Sequence, residues 1–173
     1  MLKMFSTQLT GLFNRLQEKE EFSIEDGARL LAQAAAGEGT VYILGTKEMQ
    51  AVALEAIYGE EPLQSAAILT ENVELEAADR VLLVSRYADD EEAVKAARNL
   101  LEKGIPFVVI STVRGENENT GLDTMADVHI DLKVKKGLLP DELGNRVGYP
   151  TSIVALYIYF GLKFTIQEIL EEY

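Results

Sequence analysis

The chain has 173 residues, a size typical of one domain, and a net charge of −13 from 29 acidic and 16 basic side chains. This negative charge repels polyanions, so we expect no nucleic-acid partner. The absence of cysteine and the presence of one histidine exclude disulfides, thiolate metal sites and multi-histidine metal centres, and we expect neither a metal nor a cofactor.

Residues 1–36 carry the pattern of amphipathic helices. Apolar residues recur at intervals of three and four: Leu2, Phe5, Leu9, Leu12, Phe13 and Leu16. Ser23 as a cap and Asp26 in the following turn predict a second helix, which Gly37 ends. We therefore expect two helices, packed on the domain or at a dimer interface. The N-terminus lacks the long apolar core and cleavage site of a signal peptide, which favours the cytoplasm.

The middle of the chain alternates strand and helix patterns. Five short apolar runs predict strands: Thr40–Gly45, Ser65–Thr70, Arg80–Ser85, Pro106–Ser111 and Asp127–Leu132. Runs that are apolar on both faces are typical of a parallel sheet covered by helices. Helical segments predicted at Met49–Tyr58 and Asp90–Lys103 connect the strands, and right-handed crossovers then give a three-layer α/β/α sandwich. The predicted sheet is parallel, with five strands in the flavodoxin-like order 2-1-3-4-5.

The last segment, Thr151–Glu172, is predicted to be a long helix. Its most apolar part, Ser152–Leu162, is too short to span a bilayer and fits a buried helix better, so we expect no membrane association.

Hydroxyl residues stand at or next to three strand ends, where ligands bind in open α/β sheets: Thr46, Ser85, Ser111 and Thr112. Each can donate to a phosphate oxygen, and each is also a common helix cap. Lys47 and Arg86 offer positive charge beside them. Arg86 can alternatively pair with the acidic run that follows it.

That acidic run extends from Asp89 to Glu92. It predicts a capped helix start, with Asp89 as the cap and Glu92 placed as in a capping box. The carboxylates occupy the electrostatic position that a phosphate would take, and they repel a second anion.

The order of these segments resembles the sugar isomerase (SIS) domain, the phosphosugar-binding fold of phosphoheptose isomerase and its relatives. The segment VLLVSRYADDEEAVKAARNLLEKGIPFVVIST resembles that family's strand, S-x-S-G-E-T phosphate loop, helix and next strand. YILGTKEMQAVALEAIYG is similar to its first loop and helix, and MADVHIDL to its fifth strand. GNRVGYPTSIVALYIYFGL is similar to its final helix. The resemblance covers roughly residues 25–172.

The resemblance implies a set of ligand-binding residues: Gly45, Thr46, Lys47, Ser85, Arg86, Tyr87, Ser111, Thr112, Thr151 and Ser152. The phosphate loop is degenerate, because it reads Ser85-Arg86-Tyr87-Ala88-Asp89-Asp90 and keeps only the first serine and the acid. Glu55 falls where the family's catalytic glutamate would lie. The final helix lacks the family's histidine, and His129, inside the fifth predicted strand, fits a structural role.

We therefore expect a single SIS-like domain over residues 1–173 that binds a phosphorylated sugar without ordinary isomerase activity. The alternatives are an active phosphoheptose-type isomerase with Glu55 as base, and a structural or regulatory partner protein with a vestigial pocket. The apolar surface of the first and last helices also predicts a homo-oligomer, either a dimer or a tetramer.

Overall fold

A computed structural model describes residues 1–115 and 121–172. Its parallel sheet has five strands in the order 2-1-3-4-5, with helices on both faces, which confirms the predicted fold class. The strands are β1 Val41–Gly45, β2 Ala66–Ile68, β3 Arg80–Tyr87, β4 Phe107–Thr112 and β5 Val128–Asp131. The helices are α1 Leu2–Ala36, α2 Gln50–Tyr58, α3 Glu91–Lys103, α4 Leu122–Met125 and α5 Thr151–Glu171.

Two shorter features lie between these elements. A 3₁₀ turn at Lys47–Met49 precedes α2, and a two-stranded antiparallel hairpin of β6, Leu139–Pro140, and β7, Arg146–Val147, precedes α5. Both lead the chain past the carboxyl edge of the sheet, where β1 and β3 end.

The sheet separates two apolar clusters. Successive side chains of a strand point to opposite faces. In β3, Leu82 and Val84 therefore pack with α1, α2 and α5, whereas Val81 and Leu83 pack with α3 and α4. Burial on both faces explains why the strands are continuously apolar rather than alternating.

The N-terminal segment is one continuous helix of 35 residues, so the prediction of two helices was wrong. Its inward stripe runs without a break through Leu16, Glu20, Ile24, Ala28 and Leu31. Glu20 hid this continuity in the sequence, because it is a charged residue at a core-facing position. Glu20 is 7% exposed, and its carboxylate accepts from Lys133 Nζ at 3.0 Å and from the Asp131 N–H at 3.2 Å.

Helix α5 is the one helix in the described ranges that is long and apolar enough to cross a bilayer by length and composition. Its inner face is buried against the sheet, α1 and α2, through Val154, Ile158 and Leu162. On its α1 side, Tyr157 stacks on Phe13 with ring centroids 4.3 Å apart. The prediction of a buried helix in this segment is therefore confirmed.

Substitutions at two glycines of α1 test the packing of this helix against the sheet and α5. A β-carbon at Gly27 would lie 3.2 Å from both Leu162 Cδ2 and Val108 Cγ1, whereas one at Gly11 would meet only the end of Arg15, at 3.8 Å. We expect Gly27→Leu to lower the free energy of unfolding by about 1–3 kcal/mol, because it overpacks this contact. Gly11→Leu, the control on the same helix, should leave it unchanged or raise it by up to about 1 kcal/mol. Equal effects in urea-induced unfolding would contradict this packing.

Candidate functional site

An open cleft of about 400 Å³ lies at the carboxyl edge of the sheet, where the chain leaves β1 toward β2 and leaves β3 toward β4. Such a divergence of neighbouring strands is the usual ligand position in doubly wound folds. The lining residues come from the ends of β1 and β3 and from the start of α5: Glu48, Arg86, Tyr87, Tyr149, Thr151 and Ser152. Its volume is within the range of small-molecule sites.

The turn after β1 carries Glu48 into this cleft. A β-carbon at Gly45 would lie 2.2 Å from the Met49 carbonyl oxygen, so only glycine permits a turn this tight. The Thr46 N–H donates to the Val84 carbonyl at 3.0 Å, which ties the turn to β3. Lys47 has a φ of +49°, a left-handed conformation that a non-glycine residue adopts at a cost. The turn is therefore held close against the end of β3.

The end of β3 contains a bulge. Between the paired positions Val84–Ile110 and Tyr87–Thr112, β3 advances by three positions while β4 advances by two. The Ser85 hydroxyl, fully buried, donates to the Tyr87 carbonyl at 3.0 Å inside the bulge. Arg86 and Tyr87 are only partly buried beyond it, and both line the cleft.

Ion pairs within the described ranges cross this edge of the sheet: Arg86–Glu48 at 2.5 Å, Lys47–Asp90 at 3.0 Å and Arg114–Asp89 at 2.6 Å. Within the described ranges, Arg86 thus pairs with Glu48. The alternative expected from the sequence, an ion pair between Arg86 and the acidic run Asp89–Glu92, is not formed there. The hydrogen bond from Arg86 holds the pKa of the Glu48 carboxyl below its usual value, against the opposing effect of burial. Each of these three cations has its own carboxylate.

The helix cap of α3 is Asp90, so the prediction of Asp89 was wrong by one residue. Asp90 Oδ1 accepts from the N–H groups of Glu92 and Ala93, while Asp89 lies outside and pairs with Arg114. Burial raises the pKa of Asp90, but the hydrogen bonds from Lys47 and from the α3 backbone outweigh it, so the pKa lies below its usual value.

The four strand-end hydroxyls are all buried and engaged within the protein: Thr46, Ser85, Ser111 and Thr112. Thr46 Oγ1 donates to Ser85 Oγ at 3.4 Å, and Ser111 Oγ is hydrogen-bonded to His129 Nε2 at 2.7 Å. Thr112 Oγ1 accepts from the Val134 N–H at 3.4 Å. None of the four lines the cleft, so their hydroxyls form the floor and support of this edge.

The start of α5 faces the cleft directly. Thr151 and Ser152 are its first two residues, and Pro150 at the cap position supplies no side-chain hydrogen bond. The first N–H groups of a helix have no intrahelical partner and carry the positive end of its dipole. This helix start therefore adds anion-binding capacity beside Arg86.

The two residues considered for acid–base chemistry lie away from the cleft lining. Glu55 is half-buried on α2, and a β-carbon on Gly59 would fall 2.6 Å from its Oε1, so the carboxylate turns toward the end of its own helix. Burial and, less strongly, the charge of Glu55 raise the pKa of Tyr159 to about 12. Burial lowers the pKa of His129, which lies in β5 as predicted from the sequence.

Sequence reasoning placed four residues of the cleft lining, Arg86, Tyr87, Thr151 and Ser152, among the ligand-binding residues, and it missed Glu48 and Tyr149. Glu48 follows Lys47 in the first turn, and Tyr149 precedes the Pro-Thr-Ser start of α5. Their positions next to predicted site segments were the available signal. Over residues 1–115 and 121–172, no group of three or more His, Asp or Glu side chains is arranged to hold a metal ion.

Two comparisons match the whole chain. A family model described as Domain of unknown function (DUF2529) matches residues 1–170. The Uncharacterized protein YwjG of Bacillus subtilis strain 168 is 45% identical over 174 residues, which cover 100% of this chain and 99% of that protein.

Solved structures share the fold at low sequence identity. A protein of Escherichia coli CFT073 in complex with a phosphosugar matches 98% of this chain and 89% of its own, with 15% identity and a TM-score of 0.70. Vibrio vulnificus NanR complexed with ManNAc-6P matches with 14% identity and a TM-score of 0.67, over 99% of this chain and 62% of its own. Phosphoheptose isomerase GmhA from Neisseria gonorrhoeae matches over 95% of both chains, with 13% identity and a TM-score of 0.65. The resemblance to the SIS domain is thereby confirmed at the level of the fold.

Proposed function

The chain belongs to the DUF2529 family, and we propose that it is a single SIS-like domain, residues 1–173, that binds a phosphorylated sugar in the cytoplasm without isomerising it. The observation that carries this proposal is the cleft at the β1/β3 divergence, which is lined by both the Arg86 side chain and the uncapped start of α5. The Escherichia coli and Vibrio vulnificus proteins of the same fold, both solved with phosphosugars, support this ligand class.

Arg86 is the residue we assign to the phosphate. Its Nε donates to Glu48, and its two terminal nitrogens have no hydrogen-bond partner within the described ranges, so the bidentate end of the guanidinium is available. Its side chain is 43% exposed, which lets a ligand approach from solvent. A planar guanidinium matches two phosphate oxygens, and the N–H groups at the start of α5 complete the anion site.

The predicted ligand-binding residues divide into two groups, according to whether they line or border the cleft or lie beneath it. We propose that Arg86, Tyr87, Thr151 and Ser152 contact the ligand, with Lys47 at the margin. The others support the site from beneath: Gly45, Thr46, Ser85, Ser111 and Thr112. In this arrangement the degenerate loop no longer presents hydroxyls to a phosphate, and a guanidinium takes their place.

Isomerisation requires a base that removes a proton from a sugar carbon, and the described lining of the cleft offers none suited to it. Glu48 is the one carboxylate in that lining, and its pKa lies below the usual value because Arg86 stabilises the ionised form. A carboxylate with a lowered pKa is a weaker base. Glu55 and His129 do not line the cleft, which supports a binding role over an enzymatic one.

We also propose self-association through α1 and α5. Both helices leave large apolar side chains exposed, among them Phe22 on α1 and Phe164 on α5. Between them runs a groove of about 530 Å³ whose lining includes the apolar side chains Ile24, Tyr157 and Phe160 together with glutamates such as Glu21. Surplus apolar surface of this kind usually marks contacts between chains.

The absence of isomerase activity is directly measurable. Aldose and ketose 6-phosphates incubated with the protein should show no interconversion by proton NMR, and no exchange of the C2 proton with deuterated solvent. Conversion that disappears in Glu55→Gln would contradict this proposal and favour the phosphoheptose-type isomerase. A Glu55→Gln variant that binds sugar phosphates like the parent would support a binding protein whose Glu55 has no role at the ligand.

The assignment of Arg86 is tested by a change that keeps its charge. Arg86→Lys removes the bidentate fork, and we expect sugar-phosphate binding in calorimetry to weaken by about tenfold or more. Arg80→Lys at the opposite end of β3, where the arginine contacts Gln33, is the matched control and should bind like the parent. Equal affinities of the two variants would remove Arg86 from the site. No binding by the parent across a panel of sugar phosphates would favour a partner protein with a vestigial pocket.

Light scattering tests the proposed assembly. At micromolar concentration the particle should be heavier than the 19.1 kDa chain, consistent with a dimer or tetramer. Phe164→Asp should reduce the mass to that of one chain, because it places a charge in the proposed interface. Tyr58→Asp, a similar change at an exposed aromatic on α2, should leave the assembly intact. A monomeric parent would contradict self-association.

A further inference from the structure

Within the cleft, the Arg86–Glu48 ion pair uses only one atom of each side chain. Arg86 Nε donates to Glu48 Oε1, and among residues 1–115 and 121–172 the terminal nitrogens of Arg86 make no hydrogen bond and Oε2 of Glu48 accepts none from another residue. The cleft therefore presents a cationic donor fork directly beside an anionic acceptor oxygen. Both groups are reachable from solvent, with 43% of the arginine and 34% of the glutamate side chain exposed.

The cations Lys47, Arg86 and Arg114 around the cleft are already paired with carboxylates. Lys47 is paired with Asp90 and Arg114 with Asp89, just as Arg86 is paired with Glu48, so these three cations leave no surplus positive charge for an added phosphate. The chain as a whole carries a net charge of −13. A phosphate monoester with about −1.5 to −2 charges near neutral pH would make this region strongly negative unless the ligand brings its own cation.

From this geometry we infer that Glu48 selects phosphorylated sugars that also carry a free ammonium group, such as hexosamine phosphates. The inference rests on the proposed function, because it assigns the phosphate to Arg86 and to the start of α5. The ammonium group donates to Glu48 Oε2, and the ion pair between the two side chains is kept. Tyr87 and Tyr149 line the same cleft and provide aromatic surface for the sugar ring.

Phosphorylated sugars that carry a hydroxyl or an acylated amine at this position lack the positive charge of the ammonium group. A hydroxyl or an acetamido group can donate to Glu48 but brings no positive charge, so the carboxylate and the phosphate repel each other without compensation. A hydrogen bond between two charged partners is stronger than one with a neutral donor. Because Glu48 is hydrogen-bonded to the arginine that we assign to the phosphate, it distinguishes sugar phosphates by their charge and not by their size.

Three probes that differ only in the group on the second sugar carbon test this inference. Calorimetry near neutral pH should show the parent binding glucosamine 6-phosphate about tenfold or more tighter than glucose 6-phosphate or N-acetylglucosamine 6-phosphate. Glu48→Gln should abolish that preference, so that the variant binds all three probes with similar affinity. Glu102→Gln, which removes the same charge from the exposed far end of α3, should retain the preference.

The possible results distinguish a failure of the selection by Glu48 from a failure of the proposed sugar-phosphate site. Similar affinities of the parent for all three probes, or an unchanged preference in Glu48→Gln, would overturn the selection by Glu48 and leave the sugar-phosphate site standing. Failure of all three to bind would overturn both. Thermal melting of Glu48→Gln checks that the variant is folded, and its binding of glucose 6-phosphate provides the same check at the site itself.

Discussion

The parallel pairing of β1 with β3 is the constraint on which the candidate site depends. Gly45 lies opposite Val84 in the register, and the Thr46 N–H continues the ladder by donating to the Val84 carbonyl. Because a β-carbon at Gly45 would collide with the Met49 carbonyl, the chain can turn there at once and return across the end of β3 only with glycine at this position. That turn brings Glu48 to Arg86, so a backbone requirement at one glycine determines the central ion pair of the cleft.

The acidic side chains around this edge have different roles although they look alike in sequence. Asp90 is nearly buried, caps α3 and pairs with Lys47, whereas Asp89 pairs with Arg114, whose guanidinium lies 4.1 Å from the centre of the Tyr87 ring. Glu48 faces the cleft from the other side and holds Arg86. Exposed pairs of this kind contribute little to stability. Their larger effect is to orient Arg86 and Tyr87, and such orientation in advance reduces the cost of ordering side chains when a ligand binds.

Sequence patterns were sufficient to predict the fold, because strands that are buried on both faces appear in the sequence as short, continuously apolar runs. Sequence patterns were insufficient where the structure depends on a contact between residues that are far apart in the sequence. Glu20 interrupts the apolar stripe of α1 only in the sequence, since its partner Lys133 follows β5 and is remote along the chain. The bulge in β3 likewise depends on pairing with β4, and the buried Ser85 hydroxyl bonds to the Tyr87 carbonyl within it. The exposed lining residues Glu48 and Tyr149 required the three-dimensional arrangement to be recognised.

The residues proposed to bind the ligand and the carboxylate considered for catalysis lie on different elements, so one set can change while the other remains. The proposed binding groups stand at the end of β3 and at the start of α5, whereas Glu55 lies on α2 with its carboxylate turned toward Gly59. The α2 helix packs against α5 through the core, so Glu55 can take part in packing near Tyr159 without affecting the cleft. If Arg86 binds the phosphate as proposed, a cleft that restrains this arginine with a carboxylate of low basicity and places no other carboxylate in its described lining is suited to recognising a ligand and releasing it unchanged.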